Sequence, residues 1–244
     1  NTSIGRRAGS TLTTGNNNTL LGHDAQASSP DASNEITLGN NDVGKMRMGN
    51  GCVIGGEPAL KNTVLGIDAY PIGGAGMFST AIGHSALKNS TFAYNTALGY
   101  NTLNATTGSS NVAVGSGVLR LNTTGIHNVG VGYGALSTNV SGSNTAIGAK
   151  SMDEAITAWS STAVGYESLS GYNSGGGNTA LGYHALKTST TGNYNTATGY
   201  SSLKLNTTGT KNIGLGYGAG DAITTGSNNT IIGDLPGTAA LADT

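Results

Sequence analysis

Charge is scarce in this chain of 244 residues: only 9% are Asp, Glu, Lys or Arg, against about 25% in an average soluble domain. The 11 basic and 12 acidic side chains leave a formal net charge of −1. That balance argues against a nucleic-acid partner and against a polybasic membrane-surface protein. Cys52 is the single cysteine, which excludes an intrachain disulfide framework and any Cys-x-x-Cys zinc site. The apolar runs are far shorter than the roughly 20 residues of a spanning helix, so no membrane insertion is expected. No basic stretch followed by an apolar one marks a signal peptide. Proline (4), phenylalanine (2) and tryptophan (1) are rare. The sequence opens on Asn1 rather than Met, so it is expected to be a piece of something longer.

What the chain does contain is 41 glycines and much Asn, Ser and Thr. Such a composition is compatible with disorder, but repetition decides against it. One five-residue phrase, Asn-Thr-Ala-aliphatic-Gly, recurs throughout. Clear copies end at Gly99, Gly148 and Gly182, and variants end at Gly115 and Gly216. Counting closing glycines from Gly5 to Gly233 gives 15 copies and 14 intervals. Nine intervals are 17 residues, four are 16, and Gly55 to Gly66 is 11. An aliphatic residue precedes the glycine in 14 of 15 copies, Thr198 being the exception, and Asn stands four before it in 11 of 15. Tyr follows the glycine six times, Leu is frequent four residues after it, and a Thr-Thr-Gly turn comes next.

Short segments rich in Thr, Val and Ile, bounded by Gly and Asn, suit strands and tight turns. A unit of 16–17 residues is too short for a strand–helix pair or a propeller blade. It fits one turn of a solenoid with two strands and two corners. The expected fold is therefore all-β, a parallel β-solenoid of about 15 coils, forming a rod on the order of 70 Å at the usual strand spacing. Residues 1–39 hold the first coils, 40–62 an irregular zone with Lys45, Arg47 and Pro58, 63–233 the regular repeats, and 234–244 a tail or linker. Strand alternation sets Thr, the aliphatic residue and Tyr on one face, and Asn, Ala and Gly on the other. A narrow coil has room inside for Ala and Gly, which leaves the bulky row outside and in need of cover. The reverse arrangement, with the aliphatic row inside, also fits. Either way a long apolar stripe favours self-association. Stacking at about 4.8 Å explains the low charge, because like charges would face their own copies, whereas Asn forms hydrogen-bonded ladders.

The phrase Asn-Thr-Ala-Leu-Gly-Tyr-x-x-Leu, followed by Thr-Thr-Gly and another Asn-Thr-Ala, resembles repeats of bacteriophage tail fibres. It is also similar to the head repeats of trimeric autotransporter adhesins, whose Asn-Ser-x-Ala-Ile-Gly phrase is close to Asn144-Thr145-Ala146-Ile147-Gly148. The resemblance covers nearly the whole chain. It implies a left-handed β-roll, intertwined or packed as a homotrimer, joined to adjoining fibre segments or baseplate and tail proteins. It further implies location on a virion tail fibre or another extracellular surface, and a role in attachment to a host-surface glycan or protein receptor. A bacterial adhesin head binding matrix or glycans is the alternative. The unit here is slightly longer than in the adhesin heads, which calls for larger corners.

No enzyme motif, cofactor or metal site is expected. His23, His84, His127 and His184 are scattered, and a metal site needs clustered ligands. Gly175-Gly176-Gly177 lacks the Asp of calcium-binding solenoids. Cys52 sits in a small interior slot of its repeat. A glycan-degrading tailspike would need a carboxylate pair, for which Asp153 and Glu154 are the candidates. Regular threonines suggest ice binding, but the adjacent threonines of Thr-Thr-Gly point to opposite sides. The column Tyr100, Tyr133, Tyr166, Tyr183, Tyr200 and Tyr217 is the candidate ligand surface, since stacked aromatics grip sugar rings; its bland counterpart is a structural stack of rings. Trp159, in the irregular stretch from Met152, and the stretch Tyr70 to Phe78 are further candidates, because loops on a rigid scaffold carry variable function.

Overall fold

The computed structural model describes residues 1–40, 61–70 and 77–237, and the backbone of the strands Lys45–Met48 and Cys52–Gly55. Among these residues there are strands and turns but no helix. Three parallel strands, Thr2–Ile4, Thr19–Leu21 and Ile36–Leu38, form one sheet. A second sheet of 13 strands runs to Thr230–Ile232. Its first two strands, Lys45–Met48 and Cys52–Gly55, are antiparallel, and the second pairs antiparallel with Thr63–Ile67. From Thr63–Ile67 onward every pairing is parallel and in register, as in Thr80↔Thr96, Ala81↔Ala97 and Ile82↔Leu98. The chain is thus a parallel β-solenoid of about 12 turns.

Counting glycines had given about 15 coils. The difference lies partly in the ends, since strands outnumber the turns between them, and partly in Gly55. The phrase Cys52-Val53-Ile54-Gly55 reads like the others, yet it runs antiparallel and covers the outer side of Thr63–Ile67, the first of the sheet's parallel strands. Edge strands benefit from such cover. The side chains of Cys52, Lys45 and Arg47, Pro58, and positions 238–244 of the expected tail lie outside the described residues.

The strand alternation governs only three residues per coil. In Thr96–Leu98, Thr145–Ile147 and Thr179–Leu181 the central Ala is fully buried, while the aliphatic residue is 41–47% exposed. The small row is therefore inside and the aliphatic row outside. The strand then stops before the closing glycine, where the chain bends, so Tyr belongs to a corner rather than to the aliphatic face. Gly99, Gly165 and Gly182 have φ between +134° and +140°, a region open essentially to glycine alone. A methyl group on Gly165 would overlap the carbonyl of Gly182 in the next coil. Conformation and close stacking both demand glycine there.

The second side of the coil is not the strand expected. Among the described residues only Thr157–Trp159 and Ser174–Gly176 pair there. The reason is the leucine four residues after the glycine. Leu103, Leu119, Leu136, Leu169, Leu186 and Leu203 all sit at φ of 48–52°, which breaks an extended strand. Their side chains are fully buried, so burial offsets the left-handed cost of about 1–2 kcal/mol. Coil-to-coil bonding survives the turn, because Leu119 N–H donates to the Ala135 carbonyl at 3.1 Å and Leu186 N–H to that of Ser202 at 3.0 Å.

Interior volume is conserved by exchange between the two columns. Where Leu20 replaces Ala in its strand, Gly9 of the preceding coil stands in the leucine column, and a methyl there would press on the Leu20 Cδ1. Ile231 and Gly220 repeat the exchange near the other end. Buried asparagines complete the interior. Asn195 N–H donates to Asn178 Oδ1 at 2.8 Å, Asn212 N–H donates to Asn195 Oδ1 at 2.9 Å, and Asn195 Nδ2 donates to the Gly209 carbonyl at 2.8 Å. In this column each amide thus ties a strand to the strand above and to a turn carbonyl of that coil, which pairs both polar atoms of the side chain; buried Asn206, in a turn, is different, with neither Oδ1 nor Nδ2 bonded among the described residues.

Candidate functional site

The six column tyrosines lie along one corner of the solenoid, 41–65% exposed. In-register stacking sets their spacing. Tyr166–Tyr183, Tyr183–Tyr200 and Tyr200–Tyr217 have centroids 5.4, 5.0 and 5.2 Å apart, with planes within 14° of parallel. Such offset stacks are favourable beyond their area. These four rings form one continuous ladder. Tyr100 stacks instead on His84 at 5.4 Å. Among the described residues Tyr133 stacks on no other ring, because its column carries Ser116 on one side and Ala149 on the other.

Charged groups decorate the continuous part. Glu167 Oε2 accepts from Lys187 Nζ at 2.6 Å and lies 3.1 Å from His184 Nε2. The Lys187 ammonium holds the Glu167 carboxyl down at about 2, against an ordinary 4.5. Burial, then the Lys187 charge, lowers the His184 pKa. The His184 ring lies 3.8 Å from that of Tyr183, so the cluster braces the ladder. Residues 167, 184 and 187 are separate in the chain, and only the coil repeat brings them together.

The gapped part is different. A cleft of about 320 Å³ opens between Tyr100 and Tyr133. Ser116, at the position where the column would otherwise carry a ring, lines it together with Gly117 and Gly134. A methyl group at either glycine would meet nothing within 4 Å. Arg120, Lys150 and Asp153 reach the same cleft. Ser137 Oγ and Thr138 Oγ1 donate to the Asp153 carbonyl at 3.0 and 2.7 Å, which fixes its backbone. Burial first, and then the neighbouring Glu154 charge, raises the Asp153 pKa. Sequence reading named the two tyrosines but not the cleft. Its signal is Ser116 in the Tyr column, with glycine at the next position both there and after Tyr133.

Trp159 is apart from the ladder. It ends the strand Thr157–Trp159 and covers Gly176, where a methyl would run into its ring, and it meets Tyr194 edge-on at 6.4 Å. Phe78 and Tyr94 form a further exposed stack at 5.5 Å, with Lys61 Nζ 5.4 Å from the Phe78 ring. The Thr-rich turns are engaged internally: Thr124 and Thr207 hydroxyls donate to the carbonyls of Val140 and Thr224 in the next coil, at 2.9 and 3.0 Å. No group of three metal-ligating His, Cys, Asp or Glu side chains occurs among the described residues. Among the cleft's lining residues, Asp153 is the sole carboxylate, whereas glycoside hydrolysis in its common form uses two. No family model matches the sequence, and no curated protein or solved structure is significantly similar to it.

Proposed function

We propose that the chain is a non-catalytic segment of a homotrimeric surface fibre, of the bacteriophage tail-fibre kind, that holds a host-contacting surface away from the particle. The observation that carries this reading is the uncovered aliphatic row. Leu98, Ile147, Leu181, Leu215 and Ile232 stand 41–65% exposed on one face of a single sheet, and the intervening Val114, Val131 and Val164 are half-buried. Monomers rarely expose an apolar stripe of this length. A second copy of the same chain presents the same row at the same coil spacing, so copies match along their whole length, and three rows close around one axis. Interlocked backbone ladders then give a stiff rod, and three equal surfaces turn weak receptor contacts into useful avidity.

Sedimentation equilibrium tests the reading. A trimer is expected for the native chain. Placing charge in the row, as in Leu181→Glu with Ile147→Glu, is expected to yield folded monomer, because two buried carboxylates per chain at an axis are costly. A native chain that sediments as a monomer at tens of micromolar, about the range where weak oligomers form, overturns it.

A further inference from the structure

We propose that the gap in the tyrosine column between Tyr100 and Tyr133 is a binding subsite for one acidic hexopyranose residue of a polysaccharide. The proposal rests on the attachment reading above and names the ligand class of its candidate surface. The ladder supplies the measure. Its own rings sit 5.0–5.4 Å apart. Tyr100 and Tyr133 are two coils apart, about 9.6 Å at the usual rise. A ring seated over Ser116 would therefore lie about 4.8 Å from each tyrosine, within the range at which rings stack favourably. A ring-sized vacancy in a ladder of rings takes a ring.

The surroundings choose which ring. The other break in the column, at Ala149, is followed by Lys150, whereas the break at Ser116 is followed by Gly117 and faces Gly134. Both glycines lie at φ of 66–68°, a conformation that Ser85, Asn101 and Ser201 adopt in the same column with side chains present. Conformation alone therefore does not demand glycine at 117 and 134; open space is what glycine provides. The walls are polar and charged rather than apolar. Arg120 makes no ion pair among the described residues and presents the forked donor suited to a carboxylate. Lys150 adds a second cation, and Asp153 with Ser137 offers acceptors for hydroxyl groups. Faces for a ring, an unused guanidinium for an acid and acceptors for hydroxyls together describe an acidic sugar better than a neutral one or a peptide.

Titration calorimetry of the native protein with oligogalacturonate, alginate and hyaluronate fragments, and with neutral dextran fragments, tests this. At least one acidic fragment is expected to bind and dextran more weakly. Ser116→Tyr completes the ladder, so it is expected to abolish binding while leaving the melting temperature unchanged or higher. Tyr133→Ala is expected to weaken binding by about three- to tenfold, and Arg120→Gln to remove the preference for acidic over neutral fragments. Absence of binding to all acidic fragments, or undiminished binding by a folded Ser116→Tyr protein, overturns the subsite. Failure of the fibre reading looks different, since it shows as monomeric protein whatever the calorimetry gives.

Discussion

The coils that end at Gly99 through Gly132 and those that end at Gly165 through Gly216 share one interior and differ at one corner. Both have a buried Ala or Gly in the strand, a buried Leu in the left-handed turn and buried Asn amides passing bonds upward, except that in the coil ending at Gly165 Met152 takes the leucine position and Ser161 the asparagine position. On the outside the later coils carry an unbroken stack of four tyrosines braced by Glu167, His184 and Lys187, while the earlier ones carry a break, two open glycines and Arg120. The lesson is a division of labour. Inward residues fix the backbone so completely that outward ones are free to vary without altering the fold.

The largest effect that sharpens this contrast comes from two glycines. Gly165→Ala is expected to cost about 3 kcal/mol or more, through a forbidden φ and overlap with Gly182. Gly117→Ala, at the open corner, is expected to cost about 1 kcal/mol. Chemical denaturation compares the two, and equal losses would break the distinction between inner and outer positions. Next, Leu186→Ala is expected to destabilise by about 2–5 kcal/mol through a cavity. Tyr200→Ala, which leaves only a shortened stack outside, should cost no more than about 1.5 kcal/mol. A tyrosine loss matching the leucine loss would make the ladder part of the core. The smallest effect is in pH. Because Glu167 is held at about 2 against an ordinary 4.5, its contribution is full above about 4.5 and vanishes as pH falls through about 2. Native protein is expected to melt progressively lower across that window, and Glu167→Gln to show a shallower decline. Its size is at most about 1 kcal/mol, as for other partly exposed ion pairs.

Much of this architecture was legible in the residues. The period and the small–bulky alternation of Thr96-Ala97-Leu98 specify a parallel stack with a thin interior, and the ladder was foreseeable from Asn recurring at one position. Three things were not. Gly55 closes a phrase that matches its neighbours locally, so strand direction was invisible; the 11-residue interval, Gly51 in place of Asn, and Lys45, Arg47 and Pro58 nearby mark the zone as irregular without saying how. Leu119 and its equivalents were seen as a column, but neither strand nor helix periodicity places a buried leucine at positive φ. The cleft is made by side chains that are missing at Ser116, Gly117 and Gly134. Motif reading notices groups that are present, so it passes over such a site.

The glycine-closed coil also gives the molecule an adjustable length. Each turn touches only the turns directly above and below it. Excising 183–199 would bring Tyr200 directly after Gly182, set Asn212 on Asn178, leave Tyr200 seated on Tyr166 and put Lys204 at the place of Lys187, while the His184 contacts and the Trp159–Tyr194 contact would be lost. Duplicating the same stretch would extend the shaft by about 4.8 Å. Loss or gain of whole units would therefore yield shorter and longer solenoids that still fold, so length can change one coil at a time.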